Sequence, residues 1–149
     1  MKKAIFGLGC FWGPEEKNSK IDGIINTEVG YCGGNVSETT YEEVCSGKTN
    51  HAEVVKIEFD EKKISYSEIV KKFFDLHDPT TINQQGPDIG TQYRSEIYFL
   101  DDEQKKIAEE TKSSLNKKYN EKIVTNISKQ KNYCKAEEYH QKYIQKKNL

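Results

Sequence analysis

Cys10 is the residue whose sequence context best fits nucleophilic chemistry. It follows a short apolar run, residues 3–9, that predicts a strand, and it precedes Pro14-Glu15-Glu16, which is typical of the first turn of a helix. Unpaired backbone N–H groups and the positive end of the helix dipole at such a junction favour the thiolate form of a cysteine. A buried packing thiol is the alternative. The adjacent aromatics Phe11 and Trp12 favour the first interpretation, because two large rings at the end of an element indicate the wall of a pocket.

A carboxyl group on an otherwise apolar strand face is the second candidate. In the strand predicted over residues 51–59, alternation places Glu53 on the same face as Val55 and Ile57. If this carboxyl is buried, its pKa rises and it can stay protonated at neutral pH. If it lies at the open end of the sheet, it stays solvated and ionised. The alternation alone leaves both possibilities open.

Further polar candidates lie in a long loop and in a short helix. Residues 78–93 form a 16-residue segment with several Gly and Pro residues and no periodicity, and ordered loops of this length are usually functional. Asp88 and Tyr93 lie in it, and Arg94, the only arginine of the chain, follows. Tyr41 lies in a short predicted helix between two strands. Tyrosine hydroxyls can donate to a polar oxygen, although a turn-forming Asp88 and two ordinary packing tyrosines are equally compatible with these positions.

The composition predicts one domain over residues 1–149. Nine Tyr, six Phe and one Trp provide core material, and a formal net charge of −1 gives no general attraction to nucleic acid or anionic lipid. No apolar run approaches the roughly 18 residues of a membrane span. The first residues imitate a signal peptide, but their apolar part is short and continues into Phe11 and Trp12, so we expect a cytoplasmic protein. The four cysteines lack C-x-x-C spacing and a histidine at ligand spacing, so no metal site is expected.

The predicted elements alternate between strands and helices. Strands are predicted over 3–9, 24–31, 51–59, 95–99 and 122–127, and helices from Pro14, over 40–47, from Ser65, over 101–119 and over 136–145. Apart from the short helix 40–47, the first six elements have the β-α-β-β-α-β order of ferredoxin-like folds. We therefore expect an α+β fold, a two-layer ferredoxin-like sandwich with a central mixed sheet and a helical C-terminal extension. Many functions use this fold, so it does not decide the chemistry.

A series of short motifs extends along nearly the whole chain. They are Gly-Cys-Phe-Trp-Gly-Pro-Glu at 9–15, Val-Gly-Tyr-x-Gly-Gly at 29–34, Tyr-x-x-Val-Cys-Ser-Gly at 41–47, His-Ala-Glu-Val-Val at 51–55, Gly-Thr-Gln-Tyr-Arg-Ser at 90–95 and Ala-Glu-x-Tyr-His-Gln at 136–141. In this order they resemble the motifs of the A-type peptide methionine sulfoxide reductases. The resemblance implies thiol-dependent reduction of the S epimer of methionine sulfoxide, free or in peptides, as a repair of oxidised proteins.

The resemblance also implies a role for each candidate residue. Cys10 attacks the sulfoxide sulfur and becomes a sulfenic acid, and Glu53 protonates the sulfoxide oxygen. The remaining roles are binding of the substrate methyl group by Phe11 and Trp12, assistance to the acid by Tyr41 and Tyr93, and organisation of the polar side of the site by Asp88.

Regeneration of Cys10 is where the sequence departs from the family pattern. Many members use cysteines of a Gly-rich C-terminal tail together with thioredoxin, whereas here residues 146–149 read Lys-Lys-Asn-Leu. Cys134 is the candidate resolving cysteine and Cys32 a second one, while Cys45 is interpreted as a non-catalytic packing thiol. The alternative is direct reduction of the sulfenic acid by thioredoxin, glutaredoxin or glutathione. We expect no bound cofactor, and a monomer.

Two other functions fit parts of the pattern. A Cys10–His51 pair would make a thiol hydrolase that needs no reductant, whereas His77 and His140 are interpreted as packing or surface residues. A ferredoxin-like module that binds single-stranded RNA needs aromatics in the middle of its strands and a basic face. Because Phe11 and Trp12 lie at a junction and the net charge is −1, we expect no nucleic-acid partner.

Overall fold

A six-stranded mixed sheet forms the centre of the computed structural model, which describes residues 2–147. The strands of the chain are β1 (Lys2–Leu8), β2 (Ile24–Cys32), β3 (Ala52–Phe59), β4 (Gln84–Gln85), β5 (Asp88–Ile89), β6 (Ser95–Phe99), β7 (Asn126–Lys129) and β8 (Cys134–Lys135). The order in the main sheet is β7-β6-β1-β3-β2-β8, while β4 and β5 form a separate hairpin. Only β6 and β7 pair in parallel among these strands; the other neighbours are antiparallel.

The helices connect these strands as the sequence predicts for a ferredoxin-like order. They are α1 (Trp12–Ser19), α2 (Tyr41–Ser46), α3 (Tyr66–Asp75), α4 (Asp102–Asn116) and α5 (Tyr143–Lys146), with 3-10 turns at Thr91–Tyr93 and Glu138–His140. The antiparallel set β6-β1-β3-β2 is the ferredoxin-like strand order. The predicted α+β fold with a central mixed sheet is therefore confirmed. In the part of the chain described, no helix is both long and apolar enough to cross a membrane.

Strand alternation divides the core between the two faces of the sheet. Along β3, Val55, Ile57 and Phe59 pack into the larger apolar cluster, which includes residues of α3, whereas Ala52 and Val54 join a smaller cluster on the opposite face. Glu53 therefore points to the same side as the larger cluster. It lies near the start of β3, where Tyr31 of β2 is opposite it. This register places a carboxyl group at the edge of the main core.

Short-range signals define the first residues of three helices. Ser65 and Glu68 form a complete capping box at the start of α3. Thr40 caps α2 by accepting from the backbone N–H of Glu43, and Asp101 caps α4 in the same way. These helices consequently begin where the sequence predicts.

Three predicted segments differ in the structure. The strand expected over 122–127 begins only at Asn126 because a turn precedes it. The backbone N–H of Val124 donates to the carbonyl oxygen of Pro79 and not to a neighbouring strand. The helix expected over 136–145 is replaced by a 3-10 turn and the short α5. The Gln141 side chain binds the backbone of Val29, and Lys142 has a left-handed backbone with φ of 53°. Residues 78–93 contain the β4–β5 hairpin and a 3-10 turn, so they are more ordered than their composition predicts.

Candidate active site

Cys10 lies in the turn between β1 and α1, and Gly9 shapes that turn. The φ of Gly9 is 96°, in the left-handed region that favours glycine. A Cβ atom at this position would lie 2.7 Å from the Cβ of Gln85 in β4. The β4–β5 hairpin therefore packs directly against the turn, and the Cys10 side chain beside it is half-buried.

Burial outweighs the helix terminus in setting the acidity of Cys10. Desolvation raises the pKa of the thiol from 9.0 to about 11; the backbone N–H of Trp12 lowers it, and the negative charges of Glu53 and Asp88 raise it further. The prediction of a thiolate at Cys10, made from its position at a strand–helix junction, is therefore wrong for the resting protein. At neutral pH Cys10 is a thiol.

Glu53 is a buried acid with one oxygen left open. Its side chain is 1% exposed, and the backbone N–H of Phe11 donates to its Oε1 at 3.2 Å. Its Oε2 is also buried and has no hydrogen-bond partner among residues 2–147. Desolvation raises the pKa of the carboxyl from 4.5 to about 8; the Phe11 N–H lowers it, and the charge of Asp88 raises it. Of the two possibilities that alternation left open, the buried carboxyl is the correct one.

Tyr41, Tyr93 and Asp88 surround the same space. Desolvation, followed by the charge of Glu53, raises the pKa of Tyr93 to about 12, and burial with the nearby Cys45 and Glu53 also raises the pKa of Tyr41. Both phenols are therefore proton donors at neutral pH. The charge of Asp88 raises the pKa of Cys10, Glu53 and Tyr93, so its carboxylate lies near all three.

An aromatic cluster forms the other side of the site. Phe11 is buried and its ring lies 5.7 Å from that of Tyr31, centroid to centroid. The half-buried Trp12 stacks on Tyr143 of α5 with centroids 3.9 Å apart and an interplanar angle of 10°. Its indole Nε1–H donates to Nδ1 of His140 at 3.0 Å. The polar groups and the aromatic rings predicted from the sequence thus meet around Cys10.

His140 and Glu137 are two residues of the site that the sequence analysis missed. The His140 ring is 1% exposed and contacts the rings of Phe11, Trp12 and Tyr41, with centroid distances of 5.2, 5.7 and 4.6 Å. Glu137 accepts from the Tyr31 hydroxyl at 2.7 Å and from the backbone N–H of Tyr41 at 2.9 Å. The sequence signal that could have identified them is that both residues lie in the motif at 136–141.

These two hydrogen bonds stabilise the ionised form of the Glu137 carboxyl. Burial alone raises the pKa of its carboxyl, but the Tyr41 N–H and the Tyr31 hydroxyl outweigh that effect, so the pKa lies below its ordinary value. The ionised carboxylate anchors the first residue of α2, and with it the Tyr41 side chain, to the C-terminal segment.

None of the remaining cysteines forms a disulfide with Cys10. All four are free. Cys134 lies on β8 opposite Tyr31, with its sulfur 3.8 Å from the carbonyl oxygen of Thr39. Strands β3 and β2 separate β8 from β1, the strand that leads into the Cys10 turn. Cys32 is fully buried in the smaller apolar cluster. Cys45 is exposed, so the interpretation of it as a packing thiol is wrong: α2 turns it towards solvent.

His51 is engaged away from Cys10. Its ring is buried, packs against Gly34 and makes a hydrogen bond of 3.2 Å between Nε2 and the carbonyl oxygen of Asn132. The structure therefore gives no support to a thiol hydrolase pair. Among residues 2–147 there is also no group of three or more His, Cys, Asp or Glu side chains arranged to hold a metal ion.

Comparison with known proteins places the chain in a family. Residues 2–149 match the family described as peptide methionine sulfoxide reductase. The chain is 60% identical over 147 residues to the peptide methionine sulfoxide reductase MsrA of Pelagibacter ubique (strain HTCC1062), covering 99% of this chain and 100% of that protein.

Solved structures agree with this relationship. Reduced Mxr1 from Saccharomyces cerevisiae is similar with a TM-score of 0.93 and 39% identity, over 99% of this chain and 86% of Mxr1. Mxr1 in complex with Trx2 is similar with a TM-score of 0.69 and 28% identity, over 95% of this chain and 84% of that one. The sequence, the fold and the grouping of residues around Cys10 agree, and the chain belongs to the peptide methionine sulfoxide reductase family.

Proposed function

We propose that this chain reduces the S epimer of methionine sulfoxide, free or in peptides, to methionine, with Cys10 as the nucleophile. One observation carries the proposal: the Cys10 thiol lies beside a buried carboxyl, Glu53, that has an unpaired oxygen and a pKa raised to about 8. The name of the relative from Pelagibacter ubique supports the same reaction. In this proposal the chain acts as one catalytic domain and as a monomer.

The two sides of the site match the two ends of a sulfoxide. The S–O group is polar and needs proton donors, which Glu53, Tyr41 and Tyr93 supply, and Asp88 orders this polar side. The methyl group is apolar and fits against the rings of Phe11 and Trp12. Because the sulfur is a stereocentre, a site that fixes its oxygen, its methyl group and the direction of attack by Cys10 accepts one epimer.

The chemical step transfers the oxygen from one sulfur to the other. The Cys10 sulfur forms a bond to the sulfoxide sulfur while the oxygen takes a proton from Glu53, and the Cys10 thiol proton replaces it on the Glu53 carboxylate. The S–O bond of the substrate and the new S–S bond then break while an S–O bond forms on Cys10, so methionine leaves and Cys10 is a sulfenic acid. The substrate sulfur gains two electrons and the Cys10 sulfur loses two.

An external thiol completes the cycle in this proposal. Thioredoxin is the first candidate, because Mxr1 has been solved in complex with Trx2; glutaredoxin and glutathione are the others. If Cys134 resolves the sulfenic acid, it forms a disulfide with Cys10 and releases water, and two external thiols then reduce that disulfide. A reducing, cytoplasmic compartment fits the four free cysteines.

The test is single-turnover reduction of a peptide that carries one methionine sulfoxide, with the two epimers separated. Wild type should consume only the S epimer, and Cys10→Ser should consume neither. Cys134→Ser is the matched control for loss of a thiol and should complete one turnover like wild type. If wild type consumes neither epimer, or Cys10→Ser keeps the activity, the proposed function is wrong.

The same samples test the resolving cysteine. After one turnover without reductant, peptide mapping should find a Cys10–Cys134 disulfide, and Cys134→Ser should stop at the sulfenic acid when thioredoxin is the reductant. A Cys134→Ser variant that recycles at the wild-type rate would instead assign the chain to direct reduction by an external thiol.

A further inference from the structure

Two residues of the C-terminal segment hold the Trp12 indole from two directions. His140 accepts a hydrogen bond from the edge of the indole at 3.0 Å, and Tyr143 stacks on its face at 3.9 Å between centroids. We refer to His140 and Tyr143 as the indole clamp. Neither residue takes part in the chemical step proposed above.

We propose that the indole clamp sets the substrate affinity of this site by fixing the orientation of Trp12. The inference rests on the proposed function, in which Trp12 binds the methyl group of the sulfoxide. Trp12 is the first residue of α1 and is half-buried, so its own helix constrains its ring weakly. Ordering a mobile side chain reduces binding affinity, and a ring that is already fixed avoids this loss.

The clamp is itself held by the core of the protein. The Gln141 side chain accepts from the backbone N–H of Val29 and donates to its carbonyl oxygen, both at 2.9 Å. The backbone N–H of Lys142 donates to Glu15 Oε1 at 2.6 Å, and Glu15 is a buried residue of α1. The segment between the two clamp residues is therefore tied both to the sheet and to the helix that carries Trp12.

The hydrogen bond to the indole requires one protonation state of His140. Tryptophan can only donate, so Nδ1 must be unprotonated and Nε2 carries the proton. Burial lowers the pKa of His140 and the carboxylate of Glu137 raises it, with burial dominant. The other titratable groups against the ring are the phenols of Tyr41 and Tyr139, whose pKa values are raised, so both stay neutral as His140 titrates. Acidification should therefore break the contact to Trp12.

The steady-state kinetics of four variants test the affinity claim. His140→Leu removes the acceptor, while His140→Asn keeps an acceptor near the Nδ1 position; Tyr143→Ala removes the stacked ring, while Tyr143→Phe keeps it. The KM for the sulfoxide peptide should rise roughly 3- to 10-fold in His140→Leu and Tyr143→Ala, with kcat within about twofold of wild type, and return towards the wild-type value in the two conservative variants. Tyr119→Ala, which removes a half-buried tyrosine far from the site, is the matched control and should leave KM unchanged.

A spectroscopic measurement separates the clamp from the enzymatic activity. Trp12 is the only tryptophan of the chain, so its fluorescence emission reports this position alone. The emission of wild type should titrate with a midpoint below pH 6.5, and that titration should be absent in His140→Asn.

If the titration persists in His140→Asn, or if KM stays at the wild-type value in both His140→Leu and Tyr143→Ala, the proposal is overturned. If the fluorescence behaves as expected but wild type reduces no sulfoxide, the clamp exists and the proposed function has failed. If His140→Leu does not fold, the Tyr143 pair and the pH titration decide.

Discussion

Replacing the Glu53 carboxyl by an amide should stabilise the fold at alkaline pH. The folded protein holds the Glu53 proton more tightly than the unfolded chain, because burial raises the pKa from 4.5 to about 8. The stability associated with this group is therefore complete below pH 4.5, falls as the pH rises from 4.5 to 8, and is lost above that range. At about 1.4 kcal/mol per pKa unit, the loss corresponds to ~5 kcal/mol. Glu53→Gln keeps the shape of the protonated acid and cannot ionise, so it avoids this loss.

Urea unfolding of wild type and Glu53→Gln at pH 5, 7 and 9 measures the effect. At pH 5 the two free energies of unfolding should agree within about 1 kcal/mol, and at pH 9 the variant should be more stable by about 3 to 5 kcal/mol. Its single-turnover rate should fall by roughly 10²- to 10⁴-fold, because the proton donor is gone.

Glu137→Gln is the matched control for this experiment. The pKa of Glu137 is lowered, so its stabilising effect is present at neutral and alkaline pH and is lost on acidification. The control should therefore be less stable than wild type at pH 7 and approach it towards low pH. A difference between wild type and Glu53→Gln that stays constant from pH 5 to pH 9 would refute the argument, because Glu53 would then ionise as in water.

Three further changes have defined outcomes. Gly9→Ala should destabilise the fold by about 1–3 kcal/mol in urea unfolding, since φ is 96° and the new Cβ meets Gln85. His77 is half-buried and neutral, and desolvation lowers its pKa to about 4, so acidification from pH 6.5 to 4 should remove ~3 kcal/mol from wild type but not from His77→Gln; parallel pH profiles would contradict this. Arg94→Lys should cost about 3 kcal/mol and slow single turnover, because Arg94 binds the carbonyls of two loops beside the site; wild-type stability would exclude that role.

Local sequence signals predicted the parts of the fold that depend on neighbouring residues. The capping box of Ser65 and the alternation that turns Glu53 towards the core need only a few residues, and both are present. The helix expected over 136–145 fails because the Gln141 side chain binds Val29, a contact between residues 112 positions apart. The partner of Trp12 is 128 positions away. No local pattern encodes such pairs.

The pKa of Cys10 also depends on contacts between residues that are distant in the sequence. Its position at a strand–helix junction was predictable, but its pKa is dominated by burial. That burial depends on how closely the β4–β5 hairpin approaches Gly9, which the sequence does not state.

The indole clamp also determines when during synthesis the site is completed. Cys10 and Trp12 leave the ribosome about 130 residues before His140. At roughly 5–20 residues per second, this interval is on the order of 10 s. During that time the nascent chain carries the thiol without the residues that fix the neighbouring indole. The pocket can therefore assemble only after synthesis has reached the indole clamp.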